Sequence, residues 1–380
     1  MIKIDLPLSK SIANRLLVKY FVQNQKLPIF DENWSDDIKA MYHILHSKEN
    51  QINAGDAGTA FRFGMACWAA TPGIKKIITG SPRLLQRPIM PLVNALIEMG
   101  ADLTQLRDGS WIIIGKKLSG GNIQLDASFS SQFESALLLI EPLMSSILNI
   151  TKTGQSVSVP YVDLTKSIIE NSENFLPEPD WSNAWVWIAR SIIKKEEILL
   201  NKLDLVSIQG DSICATWGDI FGFQLMNDSV GTSVKVCGHN SKRIAINFIV
   251  CPDLAQVTIA LAVLIGVEFT CNGLQTLPHK ETNRYEALLE ALNILNVNID
   301  KNSDNHSISF NSVHWKPSFK TLNVSSLGDH RMSFFWAIIG LRQPLILRGK
   351  DAVSKSYPEF WEHWLKEFPA KENRIRLTIN

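Results

Sequence analysis

The 380-residue sequence lacks several features that would place it in other classes of protein. Its five cysteines form no closely spaced pair, which argues against a disulfide framework or a zinc site and favours buried thiols in a reducing compartment. The 38 lysines and arginines nearly balance the 37 aspartates and glutamates, which excludes a generally basic nucleic-acid binder. The longest apolar stretch, Leu254 to Phe269, is interrupted by polar residues and is shorter than a membrane-spanning helix needs.

Signals for targeting and for long linkers are also missing. Met1 to Leu8 reads as a strand, with neither the charged-then-apolar run of a signal peptide nor the arginine- and serine-rich character of a transit peptide. We therefore expect a cytoplasmic protein. Apolar residues make up 45% of the chain and charged residues 20%, which is typical of globular proteins, and the length predicts two domains.

One order of elements recurs along the chain: a small or polar helix start, a very apolar helix, a β-branched strand, a glycine and a second helix. It is clearest in the passages that begin at Asp56 and at Pro252, and fainter copies begin at Ser130, Asp180 and Asp329. The helices are apolar on almost all sides, so we expect them inside each domain with the sheets outside. About six copies predict two α/β domains of like units; ordinary α/β alternation with chance similarity stays an alternative.

Most of the chemically unusual residues stand where helices are expected to begin, and free N–H groups and the helix dipole favour anions there. Ser9-Lys10-Ser11 with Arg15 combines hydroxyl, ammonium and guanidinium groups, or it is a helix cap with solvated charges. The run Gly55 to Thr59, followed by Arg62, lets the backbone approach a ligand, or it is a glycine turn with a helix cap; it matches no Walker or dinucleotide motif. Ser130-Ser131-Gln132 offers two hydroxyls to one anion, or a capping box.

The second half of the chain supplies carboxylates as well as cations. Asp253 precedes a very apolar helix, where it is either a proton acceptor or an ordinary helix cap. Lys280 and Arg284 belong to a charge run that is usually solvated, but they share a helix face, where like charges repel unless an anion lies between them. His330-Arg331 precedes another wholly apolar helix, so it is not an ordinary exposed pair.

Cations from both halves of this nearly neutral chain stand at such positions: Lys10, Arg15, Arg62, Arg87, Lys280, Arg284, Arg331 and Lys355. Two like charges ~4 Å apart repel by about 4 kcal/mol at an effective dielectric of about 20, so they are not expected to converge without anions. A small polyanionic substrate, or two, bound between the domains would supply those anions, with Asp253 and Glu281 available for proton transfer. No metal-ligand spacing or nucleophilic triad stands out.

These motifs occur in the order seen in the 3-phosphoshikimate 1-carboxyvinyltransferase (5-enolpyruvylshikimate-3-phosphate synthase) family, which the chain resembles from Leu6 to about Trp364. They are Ser-Lys-Ser-x-x-x-Arg, Ala-Gly-Thr-Ala-x-Arg, Arg-Pro, Ser-Ser-Gln-Phe, Pro-Asp, Lys-Glu-Thr-x-Arg, Asp-His-Arg-Met and Lys-Ser-Tyr-Pro-Glu. The resemblance implies the two-domain enolpyruvyl transferase fold, an inside-out α/β barrel in which each domain has three βαβαββ-like units with buried helices and outer sheets. We expect domains at 12–177 and 178–380, the second joined by strand residues 1–11, with substrates in the interdomain cleft.

The resemblance implies a transferase of the shikimate pathway, which leads to chorismate and the aromatic amino acids. The reaction moves the enolpyruvyl group of phosphoenolpyruvate to the 5-hydroxyl of shikimate 3-phosphate through a tetrahedral intermediate and releases phosphate. No metal or organic cofactor, no nucleic-acid or membrane partner and a monomer are expected. The alternatives are UDP-N-acetylglucosamine 1-carboxyvinyltransferase, which has the same fold and donor but typically uses a loop cysteine, and a catalytically degenerate binding protein.

Matching positions imply roles for individual residues. Asp253 would accept the proton of the 5-hydroxyl, Glu281 would deliver a proton to the methylene carbon, and Lys10 would contact both substrates. Shikimate 3-phosphate would be held by Lys10, Ser11, Arg15, Ser130, Ser131, Gln132, Ser158, Tyr161, Asp253, Thr276 and Lys280. Phosphoenolpyruvate would be held by Lys10, Gly58, Arg87, Gln132, Arg284, Arg331 and Lys355.

The sequence departs from the family's usual residues at several of these motifs. Leu8 replaces a glycine, Asp56 stands where asparagine is common, Val159 replaces a lysine, Thr276 stands where asparagine is frequent, and Asn283 replaces an aspartate. Asp56 lies beside the expected phosphoenolpyruvate site, so we expect its carboxylate to weaken binding of that substrate unless Arg62 neutralises it. The retained cations and carboxylates favour an active enzyme.

Overall fold

A computed structural model describes residues 1–171, 177–302, 306–366 and 375–378. The strands are β1 Ile2–Asp5, β2 Gln51–Asn53, β3 Lys75–Thr79, β4 Asp102–Gln105, β5 Trp111–Ile114, β6 Gly121–Asp126, β7 Leu148–Thr153, β8 Ile198–Asn201, β9 Phe223–Asn227, β10 Gly231–Val236, β11 Arg243–Asn247, β12 Glu268–Asn272, β13 Ile299–Asn302, β14 Ser307–Asn311, β15 Leu322–Ser325, β16 Leu345–Arg348 and β17 Ile375–Thr378. The helices are α1 Lys10–Val22, α2 Asp36–His46, α3 Gly58–Ala69, α4 Pro82–Leu85, α5 Met90–Glu98, α6 Ser131–Ile140, α7 Pro160–Glu170, α8 Trp181–Lys194, α9 Gly218–Phe221, α10 Ala255–Ile265, α11 Arg284–Ile294, α12 His330–Ile339 and α13 Phe360–Lys366. None of the helices in these residues has the length and hydropathy to cross a membrane.

The chain divides into two compact units. Unit 1 consists of Met1–Leu8 and Glu178–Asn380, and unit 2 consists of Ser9–Pro177. The two segments of unit 1 are joined where the chain passes into and out of unit 2. Leu8 forms an isolated antiparallel bridge with Pro179, and the backbone N–H of Asp180 donates to the carbonyl oxygen of Pro7 at 2.9 Å.

Three sheets share one topology, which is the structural form of the repeat seen in the sequence. Their strand orders are β2-β3-β5-β4, β11-β12-β14-β13 and β1-β8-β10-β9, and in each the first two strands are parallel and the others antiparallel. A parallel pair needs a crossover, and α3 and α10 supply it in the first two sheets, while the antiparallel strands close as a hairpin. The smaller sheets, β6-β7 and β15-β16-β17, contain parallel pairs. The predicted α/β fold is confirmed.

Buried helices form the interior of each unit, as the apolar runs predict. All of α12 and all but the last residue of α8 and of α10 are buried in unit 1, and α3 is almost as fully buried in unit 2. The strands alternate instead: β11 buries Ile244 and Ile246 and exposes the residues between and beside them, so one face of its sheet is covered. Because the helices are packed inside the sheets, polar side chains gather at the N-terminal ends of the helices.

Candidate active site

In unit 2, the side chain of Arg15 joins the first two turns of α1, α6 and α7. Its Nε donates to Thr165 Oγ1 at 2.7 Å, and its Nη2 donates to Ser135 Oγ at 3.3 Å and to the carbonyl oxygen of Tyr161 at 3.1 Å. Its Nη1 donates to the carbonyl oxygen of Ser11 at 2.8 Å, and burial lowers the pKa of Arg15 to about 10. The guanidinium expected to hold a substrate carboxylate is therefore occupied by the chain's own oxygen atoms in this arrangement, where it positions three helix starts.

Gln132 links the start of α3 to the start of α6. Its Oε1 accepts a hydrogen bond from Arg62 Nη1 at 2.7 Å, and its Nε2 donates to Thr59 Oγ1 at 2.9 Å. Arg62 is buried, and its Nη2 donates to the carbonyl oxygen of Pro88 at 2.8 Å. The N-terminal ends of α1, α3, α6 and α7 thus lie together in unit 2, although their residues are far apart in the sequence.

The predicted phosphate-binding hydroxyls lie at two of these helix starts. Ser130 caps α6, where its Oγ accepts from the backbone N–H of Gln132 at 3.2 Å, and Ser131 is the first residue of that helix. A hydroxyl that accepts one hydrogen bond still has its own hydrogen to donate, so capping and phosphate binding are compatible. Ser158, two residues before α7 begins, has a φ of +53°, which is uncommon for a residue other than glycine.

Gly58 and Arg87 are in close contact at the start of α3. A Cβ atom placed on Gly58 would lie 2.5 Å from Arg87 Nη1 and 3.0 Å from Arg62 Nη1. Only a residue without a side chain therefore allows both guanidinium groups to lie over the first turn of this helix.

Lys10, the first residue of α1, is paired with a carboxylate that the sequence motifs did not single out. Its Nζ donates to Asp37 Oδ2 at 2.9 Å, and Asp37 is buried near the start of α2. Ser35-Asp36-Asp37 has the cap-then-acid pattern of a helix start, and this is the signal that would have located Asp37.

In unit 1, Asp253 lies among three cations. Its Oδ1 accepts from Lys280 Nζ at 3.1 Å and from Arg284 Nη1 at 2.9 Å, and its Oδ2 lies 3.5 Å from Arg331 Nη2. The anion between Lys280 and Arg284 is therefore a carboxylate of the chain, so the expectation that bound substrate is needed to bring these cations together is wrong. The alternative role of Asp253 as a helix cap is not observed either: it lies in the 3-10 turn Pro252–Leu254, and α10 begins without a side-chain cap.

Arg284, the first residue of α11, is held by three carboxylates. Its Nε donates to Asp329 Oδ2 at 2.7 Å, and its Nη2 donates to Asp329 Oδ1 at 3.1 Å and to Glu281 Oε2 at 2.8 Å. Burial by itself lowers the pKa of Arg284, but Asp329, Glu281 and Asp253 outweigh it and raise the pKa. Arg284 is therefore a permanent cation although it is 1% exposed.

Lys355 and Lys280 each lie beside one of the two carboxylates that are expected to transfer protons. Lys355 Nζ lies 3.3 Å from Glu281 Oε1, so Glu281 bridges Lys355 and Arg284. Burial lowers the pKa of Lys280, and the neighbouring Asp253 opposes that change. Both carboxylates expected to transfer protons, Asp253 and Glu281, are thus ion-paired with the cations expected to bind the substrates.

Arg331, near the start of α12, has hydrogen-bonding capacity left over. It is 1% exposed, and its Nε and Nη1 donate to no acceptor within the described ranges of the chain. Burial acts to lower the pKa of Arg331, but Asp253 and Asp180 outweigh it and raise the pKa, so the group stays charged. A buried donor without an acceptor costs about 1–3 kcal/mol, and more when it is charged, so this guanidinium indicates a site for an anion.

Thr276 shows the same feature on a smaller scale. Its Oγ1 is buried and has no hydrogen-bond partner in the described part of the chain. It lies immediately before the 3-10 turn Leu277–His279 that leads to Lys280.

The sequence motifs assign no role to Asp329 and Asp211, which are two buried aspartates of unit 1. Asp329 belongs to the Asp-His-Arg-Met motif and is fully buried against Arg284. Asp211 accepts a hydrogen bond from Ser182 Oγ, and burial, followed by the charge of Asp253, raises the pKa of Asp211 to about 6. Nothing in the spacing of Asp211 marks it, because its neighbours come from three distant segments. The described residues contain no group of three or more histidine, cysteine or acidic side chains placed to hold a metal ion.

Solved structures identify the fold of the chain. EPSP synthase from Acinetobacter baumannii superposes with a TM-score of 0.68 at 17% identity, covering 96% of this chain and 95% of that one. The enolpyruvyl transferase NikO from Streptomyces tendae superposes with a TM-score of 0.65 at 11% identity, covering 96% and 94%. The chain therefore has the enolpyruvyl transferase fold.

Sequence comparison identifies the family. The family model described as EPSP synthase (3-phosphoshikimate 1-carboxyvinyltransferase) matches residues 40–174 and 170–364. Proteins of that name from Bacteroides fragilis and Colwellia psychrerythraea are 34% and 27% identical to this chain, covering 94% and 95% of it and 93% and 95% of their own lengths. The chain belongs to the EPSP synthase family, which confirms the resemblance predicted from the motifs. The alternative assignment as a UDP-N-acetylglucosamine 1-carboxyvinyltransferase is not favoured.

Proposed function

We propose that this protein transfers the enolpyruvyl group of phosphoenolpyruvate to the 5-hydroxyl of shikimate 3-phosphate, as a cytoplasmic monomer without a cofactor. The single observation that carries the proposal is Arg331: a buried, charged guanidinium whose Nε and Nη1 have no acceptor among the residues that the structure describes. Arg284 and Lys355 complete a group of cations around the same carboxylates. Such a group suits a small ligand that carries both a phosphate and a carboxylate.

The residues of unit 1 supply the proposed chemistry. Arg284, Arg331 and Lys355 bind the anionic groups of phosphoenolpyruvate, while Lys280 and Thr276 bind shikimate 3-phosphate. Asp253 accepts the 5-hydroxyl proton as the hydroxyl oxygen bonds to C2 of phosphoenolpyruvate, and Glu281 protonates C3. The tetrahedral adduct then loses phosphate as the C3 proton returns to Glu281. Substrate anions that neutralise the cations release Asp253 and Glu281 from their ion pairs for these transfers.

The residues of unit 2 supply binding at helix starts. Ser130, Ser131 and Ser158 bind the phosphate of shikimate 3-phosphate, because helix N-termini and hydroxyl groups together favour phosphate. The other proposed contacts of that substrate in this unit are Ser11, Arg15, Gln132 and Tyr161. Lys10, Gly58, Arg87 and Gln132 contact phosphoenolpyruvate, and Lys10 contacts both substrates.

The proposal is tested by phosphate release in the presence of phosphoenolpyruvate and one acceptor at a time. We expect release with shikimate 3-phosphate and none with UDP-N-acetylglucosamine. Release with the second acceptor alone would replace the proposed function by the related transferase. Binding of shikimate 3-phosphate without any release would identify a degenerate binding protein.

Replacing Gly58 by alanine is expected to raise the KM for phosphoenolpyruvate. The added Cβ would lie 2.5 Å from Arg87 Nη1, so the guanidinium must move from its place over α3. Overpacking of this kind costs about 1–3 kcal/mol, which corresponds to roughly a 10- to 100-fold rise in KM. Steady-state kinetics with each substrate varied in turn measures the effect; a KM for shikimate 3-phosphate that rises equally would contradict it.

Replacing Asp56 by asparagine is expected to lower the KM for phosphoenolpyruvate about two- to fivefold. Asp56 is exposed and accepts a hydrogen bond from the hydroxyl of Ser81, and asparagine keeps that acceptor while removing the charge. Exposed charge interactions contribute about 0.2–1 kcal/mol, which sets the size of the effect. Asp108, an exposed aspartate that also accepts from a serine, Ser110, provides the matched control variant D108N. An unchanged or higher KM in D56N contradicts the expectation.

A further inference from the structure

We propose that Asp329 is a positioning residue that orients Arg284 and Arg331 toward the anionic groups of phosphoenolpyruvate; this inference rests on the proposed function. Asp329 itself is fully buried. Its place in the fold is the start of α12, next to the start of α11, where the two arginines stand.

Asp329 binds one edge of the Arg284 guanidinium. Its two oxygens accept from Nε at 2.7 Å and from Nη2 at 3.1 Å, which is the paired geometry in which a carboxylate fixes the plane of an arginine. The five N–H donors of a guanidinium lie in one plane, so holding the Nε edge determines where the opposite edge points. That opposite edge, Nη1 and Nη2, faces Asp253 and Glu281.

The same carboxylate also fixes the helix that carries Arg331. Asp329 Oδ1 accepts the backbone N–H of Arg331 at 2.8 Å, so the side chain of Asp329 caps α12. The two arginines therefore share one anchor, although they are 47 positions apart in the chain. A small movement of Asp329 would displace both guanidinium groups together.

Removal of the Asp329 charge should change the affinity for an anion in opposite directions, depending on whether Asp329 is a simple counter-charge or a positioning residue. Lys280, Arg284, Arg331 and Lys355 are accompanied by Asp253, Glu281 and Asp329. Removing the charge of Asp329 makes this group more positive, so simple attraction would bind an anion more tightly. If Asp329 orients the arginines, its loss weakens anion binding despite the added positive charge.

The experiment compares Asp329→Asn with the wild type in steady-state kinetics and in binding of inorganic phosphate. Asparagine has the size of aspartate and caps helices equally well, so the Arg331 N–H keeps an acceptor. One of the two contacts to Arg284 becomes an N–H facing an N–H. We expect the KM for phosphoenolpyruvate to rise about 10- to 100-fold, the KM for shikimate 3-phosphate to change less than about threefold, and phosphate to bind more weakly.

A matched control removes a cap without touching the charges. Asn283 caps α11, the helix of Arg284, through a hydrogen bond of 3.2 Å from the backbone N–H of Glu286 to Asn283 Oδ1. Asn283→Ala is expected to lower the melting temperature by about 2–4 °C and to leave the KM for phosphoenolpyruvate unchanged. Loss of stability in Asp329→Asn with an unchanged KM would reduce Asp329 to a structural role and overturn the inference.

Two further variants show whether Asp329 acts through Arg284. Lysine has no planar edge, so in an Arg284→Lys background the additional effect of Asp329→Asn on the KM should fall below about threefold; fully additive effects contradict the inference. Asp329→Glu keeps the charge and moves the carboxylate by one methylene group. It should raise the KM as well, and it replaces Asp329→Asn if that variant does not fold.

The phosphate measurement separates this inference from the proposed function. If the wild type releases no phosphate from the two substrates, the proposed function fails, but weaker phosphate binding by Asp329→Asn still supports orientation of the arginines. Equal or tighter phosphate binding by Asp329→Asn overturns the inference, whatever the enzyme's activity.

Discussion

Asp253→Asn is expected to lower kcat about 10³-fold. The variant loses the proposed proton acceptor, and general base catalysis contributes roughly 10²- to 10⁴-fold to a rate. It also leaves Lys280, Arg284 and Arg331 without the carboxylate that they share. Phosphate release at saturating concentrations of both substrates measures the effect.

A second consequence of Asp253→Asn appears in the pH dependence of binding. Burial lowers the pKa of Lys280, and Asp253 partly opposes that shift. Without Asp253 the pKa of Lys280 falls further. Lys280 therefore loses its proton at a lower pH than in the wild type, and it then no longer binds a phosphate through its charge. Affinity for shikimate 3-phosphate should therefore decline earlier as the pH rises.

The control for this prediction is Asp300→Asn, which changes an exposed aspartate of β13 in the same unit. It should retain the wild-type rate and pH dependence. A kcat of Asp253→Asn within tenfold of the wild type would remove Asp253 from the proposed proton transfer.

Arg331→Met is expected to lower kcat/KM for phosphoenolpyruvate about 10²- to 10³-fold. The substitution removes buried donors that have no acceptor within the described residues and that the proposal assigns to the donor substrate. Loss of a single preorganised donor to a developing charge typically costs about this much. Arg331→Lys should recover part of the loss, because lysine restores the charge without the planar fork of donors.

Arg342, an exposed arginine beyond the end of α12, provides the matched control. Arg342→Met should leave the kinetics with both substrates unchanged. If Arg331→Met affected both substrates equally, or neither, the assignment of Arg331 to phosphoenolpyruvate would be wrong.

Local patterns were sufficient to predict where helices begin and which of them are buried. Runs such as Leu254 to Leu264 are apolar on every side, so their burial follows from composition, and capping residues such as Ser130 mark their starts. The predicted helix after Asp253 is observed as Ala255–Ile265.

The partners of the charged residues were less predictable. Asp253 and Glu281 were expected as available carboxylates, whereas in the structure both are ion-paired, and Arg15 is enclosed by hydrogen bonds within unit 2. Asp37, which binds Lys10, was not singled out at all. Each of these pairings joins segments that are distant in the sequence, so no local pattern reports it.

The sequence by itself determined the class of fold, the family and the helix starts at which cations and hydroxyls stand, because capping, hydropathy and motif order are local properties of a chain. Only the tertiary structure decided which carboxylate meets which cation. Arg15 meets Thr165 across 150 positions, and Arg284 meets Asp329 across 45. Such contacts exist because buried helices pack with their first turns together, and buried charges in that packing must find an opposite charge or an acceptor.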